Sequence, residues 1–413
     1  MLVAFVLVLS VLLGCCGLAL DIGLLELKQV QLQNAADAAA LGASFQMERE
    51  EASTSASAIA DYTAAAVAEA GQNGFVNNVN GVKVVVNMPP TTGLYTANQA
   101  AVQVTVSQPV STIFKTGSYT IAAKATGVVP PCVYFMSPST SIYTLRVQNN
   151  THVDIGCAWY ARWSGYTDGG TVASFDAAYF GGPYTVSSFS GTLAAGSQGY
   201  APTFNAPAQS DPLSYLVSPS PPANAAACNP LLQNETITSS TSLYPGTYCG
   251  TFTISGAGTT VIFNPGVYII AGSVNWSAAT ITGTGVTLFL TKVGGTANYG
   301  TFIVGASTSL SLYAPTSGSL AGVVIFGDRN WVTSSTALPP QDISFSGATL
   351  NVDGIVYLTN TGMSFANGTL TSPNYFGMVV DSLTLSGATF TTHGNYSGLS
   401  GGSPYRPGVG LAE

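Results

Sequence analysis

The spacing of apolar and polar positions changes twice along this chain. Residues 1–20, MLVAFVLVLSVLLGCCGLAL, carry no charge and no polar face, and Asp21 is the first ionisable acid. Helical residues rise about 1.5 Å each, so this stretch spans about 30 Å, the thickness of a bilayer's hydrocarbon core. The pattern predicts an uncleaved transmembrane anchor. Over residues 21–71 the period becomes helical: Leu24, Leu27, Leu32, Ala35, Ala36, Ala39 and Ala43 form one stripe, with charges entering from Lys28. One long helix is predicted, ended by Gly71, Asn73 and Gly74.

The period then falls to two. GVKVVVNM (81–88), AAVQVTVS (100–107) and SYTIAAKATGVV (118–129) are β-branched runs separated by turn residues. They predict a small sheet covering part of the helix, and Pro130-Pro131 marks a boundary. Beyond Cys132 no helix pattern recurs. LYPGTYCGTFTISG (243–256) and FNPGVYIIAGSVNWS (263–277) repeat an element, as do FSGATLNVDGIVYL (345–358) and LSGATFTTHG (385–394). VTLFL (286–290), GVVIF (322–326) and GMVVD (377–381) lie between. A period near twenty fits one coil of a parallel β-helix, with a β-sandwich as the competing architecture. The expected fold is therefore mixed: a transmembrane anchor (1–20), a helix with a small α+β unit (21–129), and a right-handed parallel β-helix (130–413). Residues 201–230 are Pro-rich and read as an excursion from the coils.

Composition narrows the function. Charged residues are 7% of the chain, against about 25% in ordinary domains, while 46% hydrophobic residues argue against disorder. A net charge of −8 with dispersed basic residues excludes a nucleic-acid footprint. Glu48, Glu50 and Glu51 form an acidic run that reads as a solvated helix face. Five N-x-S/T sequons, at Asn149, Asn234, Asn275, Asn367 and Asn395, reflect a Ser/Thr/Asn-rich composition.

Six cysteines divide into Cys15 and Cys16 in the anchor and Cys132, Cys157, Cys228 and Cys249 beyond it. Neighbour pairing of the last four closes short loops and is expected if the anchor exports the remainder of the chain; four buried thiols are the alternative. No C-x-x-C occurs and the histidines are His152 and His393, so neither a metal site nor a cofactor is expected. Leu12-Leu13-Gly14-Cys15 is similar to a lipobox, which keeps a lipidated surface adhesin as an alternative. Catalysis on a polysaccharide would need converging carboxylates. Asp154, Asp168, Asp176, Asp211, Asp328, Asp342, Asp353 and Asp381 are scattered, and the compact cluster Asp328-Arg329-Asn330 reads as a turn ion pair. No catalytic residue is assigned.

GLALDIGLLELKQVQLQNAADAAALGA (17–43) resembles the N-terminal segment of the TadE/TadG-like proteins of Flp (tight-adherence) pilus assembly. Gly17, Asp21 and Gly23 correspond to that family's exit from the membrane, and Leu32, Gln33, Ala35, Ala36, Asp37, Ala39 and Leu41 to its helix motif, which Ala43 extends. The later strands resemble the β-helical passenger of longer members. The chain lacks the Gly followed five residues on by Glu that prepilins use, so no prepilin-peptidase cleavage is expected. The resemblance implies a non-enzymatic envelope protein in the inner membrane, its C-terminal region periplasmic or extracellular. Its helix would meet other pilus-assembly proteins, and its solenoid would touch glycans or surfaces. The Ala35/Ala39/Ala43 row is read either as a seam for a partner helix or as the seat of the chain's own sheet.

Overall fold

The computed structural model describes residues 2–49, 55–93, 95–96, 101–114, 117–129, 131–137, 144–162, 165–167, 172–180, 192–193, 203–204, 208–296, 299–331, 342–405 and 411–412. The described residues are mostly β, with two α-helices among them. It divides into two compact units, Met1–Val129 with Gly410–Glu413, and Pro130–Val409.

In the first unit the expected single helix is two, α1 (Leu2–Arg49) and α2 (Ala56–Gln72). The Ser55 side chain accepts from Ala58 N at 3.2 Å and starts α2, satisfying a donor that α1 has no means to reach. Ala58, Tyr62, Ala66 and Ala70, one helical turn apart, are all buried. The second helix runs back along the first, because Gly42 lies against Glu69 and the Lys28 ammonium sits 5.9 Å over the Phe75 ring. A continuous helical period does not report this reversal: small residues on both halves are what allow the two to pack. Gly74, at φ +90°, and the Phe75 N–H donating to Ala70 O at 2.9 Å close the last turn.

Three antiparallel strands come next, β1 (Lys83–Asn87), β2 (Ala101–Ser111) and β3 (Ser118–Val128), and α1 packs on β2 and β3. The strand Leu411–Ala412 adds to the free edge of β3, a pairing that nothing in the local sequence signals.

The second unit is a parallel sheet of 22 strands whose pairings form three in-register ladders. One runs Tyr268, Leu288, Ile325, Val356, Met378, Val133, Trp159. A second runs Ile254, Trp276, Val304, Phe345, Phe365, Leu385, Val147. The third runs Val261, Ile281, Leu310, Leu350, Leu370, Phe390, Val153. Between the ladders a residue in left-handed conformation turns the chain: Ser307, Gly347, Asn367 and Gly387 have φ of 60°, 66°, 52° and 60°. Gly and Asn tolerate that region best, which explains the twenty-residue recurrence of S-G-A-T and A-N-G-T. Inside, aromatic rings succeed one another from Phe252 through Trp276, Phe302, Phe345 and Phe365 to Phe390, at centroid distances of 5.3 to 6.2 Å.

Stack order differs from chain order. The strand Phe376–Val380 pairs with Pro131–Phe135, and Thr389–His393 with His152–Ala161. The first strands of the unit therefore pair with its last, and the chain after Phe204 must return past the strands between before starting Thr236–Ile237. Residues 208–229 make that return without forming a strand. The side chains of 1–8, 10, 11 and 13 lie outside the described residues, and the expected anchor falls largely on them. Among the described residues no helix is long and apolar enough to cross a membrane.

Candidate functional site

Two constructions stand out, one in each unit. In the first, Gly17 and Asp21 lie one turn apart on the same face of α1. The Asp21 carboxylate, 4% exposed, accepts from Ile113 N at 2.7 Å and from Phe114 N at 3.1 Å. These N–H groups sit beyond the end of β2, where the turn gives them no strand partner. A Cβ at position 17 would lie 2.9 Å from Phe114 Cγ. The motif thus holds the tip of the β2–β3 hairpin against the helix: the aspartate supplies the acceptor and the glycine the room. A Cβ at position 23 would meet nothing within 4 Å.

The remaining motif residues look inward. Leu32, Ala35, Ala36, Ala39 and Ala43 have no exposed surface, and a Cβ on Gly127 would stand 2.3 Å from Ala40 O. Small residues at Ala40 and Ser44, and the missing side chain at Gly127, let β3 approach the helix backbone. All three side chains of the Ala35/Ala39/Ala43 row are buried within this unit. Gln33 donates to Asp37 Oδ1 at 2.8 Å and to Lys124 O at 3.2 Å, tying the helix to β3, and Leu41 is half-buried.

In the second unit the strands Val286–Thr291, Val323–Gly327 and Phe376–Val380 are buried along their whole length. Their runs, apolar but for Thr287 and Thr291, reflect cover on both faces. Phe289, Phe326, Tyr357, Val379, Tyr134 and Tyr160 stand on consecutive strands, none more than 2% exposed. Residues 208–229 supply cover from Gln209, whose N–H donates to the Tyr160 hydroxyl at 3.2 Å, to Pro222, whose carbonyl accepts from Gly294 N at 2.8 Å. We call this segment the strap.

Asp328-Arg329-Asn330 fastens it. Arg329 donates from Nη1 to Leu216 O at 2.9 Å, from Nη2 to Leu213 O at 3.0 Å, and from Nε to the Tyr357 hydroxyl at 2.7 Å. That hydroxyl donates to Asp211 Oδ2 of the strap at 2.7 Å, and burial pushes its pKa up. Asp328 accepts from Thr291 Oγ1 at 2.7 Å and from Asn330 N at 2.9 Å. The turn ion pair expected from sequence is instead a latch between segments more than a hundred residues apart. Nothing local could have marked Asp211 and Tyr357 as its members.

Cys228 is bonded to Cys249, Cα–Cα 6.0 Å, where the strap rejoins the coils, and Cys132 to Cys157 at the same Cα separation. Cys15 and Cys16 are exposed free thiols. Beside Cys249 an open groove of about 340 Å³ runs over Gly250, Gly272 and Gly300, edged by Thr251, Ser273, Thr296, Lys292 and Tyr299. The Lys292 ammonium lies 4.7 Å over the Tyr299 ring, which stacks on Trp331 at 5.1 Å. Burial, with Asp328 nearby, pushes the Tyr299 hydroxyl up to about 12.

The scattered aspartates act as acceptors. Asp353 takes Asn374 N at 2.9 Å, Tyr375 N at 3.2 Å and Asn374 Nδ2 at 2.6 Å. Asp381 lies against Ser137 and Ser382, and burial raises its pKa. Asp168 and Asp176 lie outside the residues whose side chains are described. Among the described residues no three His, Cys, Asp or Glu side chains gather in metal-binding geometry.

Residues 1–70 match the family model described as "Putative Flp pilus-assembly TadE/G-like". The match makes the N-terminal region similar to that family and covers none of the chain beyond residue 70. No curated protein and no solved structure matches the chain.

Proposed function

We propose that the protein is a non-enzymatic component of the bacterial envelope, anchored in the inner membrane by residues 1–20. On this reading it serves Flp pilus assembly or surface adhesion, and residues 130–413 form a right-handed parallel β-helix displayed on the far side of the membrane. The observation that carries it is the Tad-type match over residues 1–70 on a helix with no polar face before Asp21. The described side chains from Leu9 to Leu20 are exposed at every position but Gly17, as in a helix meant for lipid. In-register parallel pairing at recurrent intervals supports the β-helix. Disulfides at Cys132–Cys157 and Cys228–Cys249 suit an oxidising compartment outside the cytoplasm.

A non-enzymatic role is supported by how the acids are used: Asp211, Asp328 and Asp353 are engaged in holding backbone and strap. The hydroxyl-edged groove with Tyr299 and Lys292 is the surface suited to glycan contact. Partners in pilus assembly would meet the exposed part of α1, since its alanine row is spent internally.

Fractionation tests this. The protein stays with inner-membrane vesicles through an alkaline carbonate wash, protease added to spheroplasts removes residues 130–413, and Cys15→Ala changes neither result. Release by carbonate overturns the anchor, and loss of membrane association in Cys15→Ala establishes the lipidated alternative instead. Loss of piliation on deletion of the gene, restored by the wild-type chain, checks the assembly role.

A further inference from the structure

We infer that the tip of the β2–β3 hairpin is a second membrane contact, a wedge of Ile113 and Phe114 that enters the lipid interface beside α1; this rests on the anchored reading of residues 1–20. Ile113 is 70% exposed and Phe114 59%, although both lie within hydrogen-bond reach of a buried carboxylate. A hairpin tip in water is ordinarily polar, and two adjacent large apolar side chains there, each more than half exposed, cost solvation.

Their level along the helix identifies what covers them. Asp21 grips the backbone of both residues, and the Phe114 ring rests against Gly17, one turn nearer the N-terminus. Four residues at 1.5 Å each place the ring about 6 Å into the uncharged part of the helix. The side chains around it at that level are Leu18, Leu20 and Ile22, all exposed. A partner helix would cover one side of α1 and leave a polar side to water, yet the described residues from Leu9 to Leu20 have no polar side. The solvent that wets every face of an apolar helix is lipid. An aromatic ring about one helical turn below the first charge sits at the depth where amphipathic and aromatic side chains anchor proteins to the interface.

Asp21 then has a stated task. Two peptide N–H groups at the rim of a bilayer have little water to turn to, and leaving them unpaired there is expensive. The carboxylate pairs both and neutralises part of its own cost in doing so. Gly17 and Asp21 together fix how far the tip enters, and the wedge fixes the rotation and depth of the helix.

The test places a photoreactive benzoyl-phenylalanine at single positions in the full-length chain, reconstituted in vesicles of phosphatidylethanolamine and phosphatidylglycerol carrying a radiolabelled phospholipid. Lipid adducts are expected at positions 114 and 12, and none above background at 59, an exposed isoleucine near the far end of the unit. An adduct at 12 but not at 114, or cross-linking of 114 to another protein chain, overturns the wedge and leaves the anchor standing. Absence of an adduct at both 12 and 114 overturns the anchored reading itself.

Discussion

Arg329 and Tyr357 meet through a 2.7 Å hydrogen bond, Nε to hydroxyl, and from that junction both reach the same strap. The guanidinium holds the carbonyls of Leu213 and Leu216, and the hydroxyl holds Asp211. The arginine also lies over the rings of Phe326 and Tyr357, at 5.4 and 5.2 Å. One side chain thus pins a segment that no strand pairing secures.

Arg329→Ala removes three donated bonds and takes the donor from the Leu216 carbonyl, while Leu213 O keeps the Leu216 N–H at 3.0 Å, a loss of about 2–3 kcal/mol. Arg329→Lys recovers only part of it, because an ammonium has no planar fork to span both carbonyls. Chemical denaturation measures the loss, and limited proteolysis is expected to cut first within 208–229 in both variants.

Gly272 lies at φ +154°, and a Cβ there would stand against Gly250 O on the preceding coil. Gly272→Ala must separate two paired strands and is expected to cost about 3 kcal/mol or more. Gly398→Ala meets nothing within 4 Å and is the matched control, expected within about 0.5 kcal/mol of wild type. Thermal unfolding of the two variants side by side reads the difference.

Asp381 gives the folded protein a pH dependence of its own. Burial raises its pKa above the ordinary carboxylate value, so the folded state holds this proton more tightly than the unfolded state does. Its contribution is fully present below the unfolded pKa and is lost as pH rises through the folded one. At neutral pH the ionised carboxylate is a burden, so Asp381→Asn is expected to raise the melting temperature there. The gain shrinks as pH falls toward the carboxylate range. A gain independent of pH would show that the charge is not its source.

Stack order makes a kinetic prediction. Pro131–Phe135 leaves the ribosome early, but its partner Phe376–Val380 emerges more than two hundred residues later. In refolding monitored by pulsed hydrogen exchange, the amides of Met136, Ser137 and His152, whose acceptors are Val380, Asp381 and Ala388, are expected to gain protection only together with those of 376–393. Coils formed by 247–313, whose partners are near in sequence, are protected earlier.

Much of this architecture was local and therefore readable. The apolar run to Leu20, the two strand-period segments flanking Pro109, and the recurrence of FSGATL at LSGATF all come from rules acting within one element: helix rise, strand alternation, and the need for Gly or Asn in a left-handed corner. Gly17 and Asp21 stood out as a motif, but only the hairpin brought to them explains the spacing. What the tertiary structure alone decided depends on pairs far apart in sequence. Residues 21–71 form two helices because the second packs back on the first, with Glu69 against Gly42. Asp211 reaches Tyr357, and the first strands of the second unit pair with its last, because the exposed ends and faces of a parallel stack must be covered. A residue pattern states that a surface is apolar, whereas which distant segment covers it is settled only when the whole chain has folded.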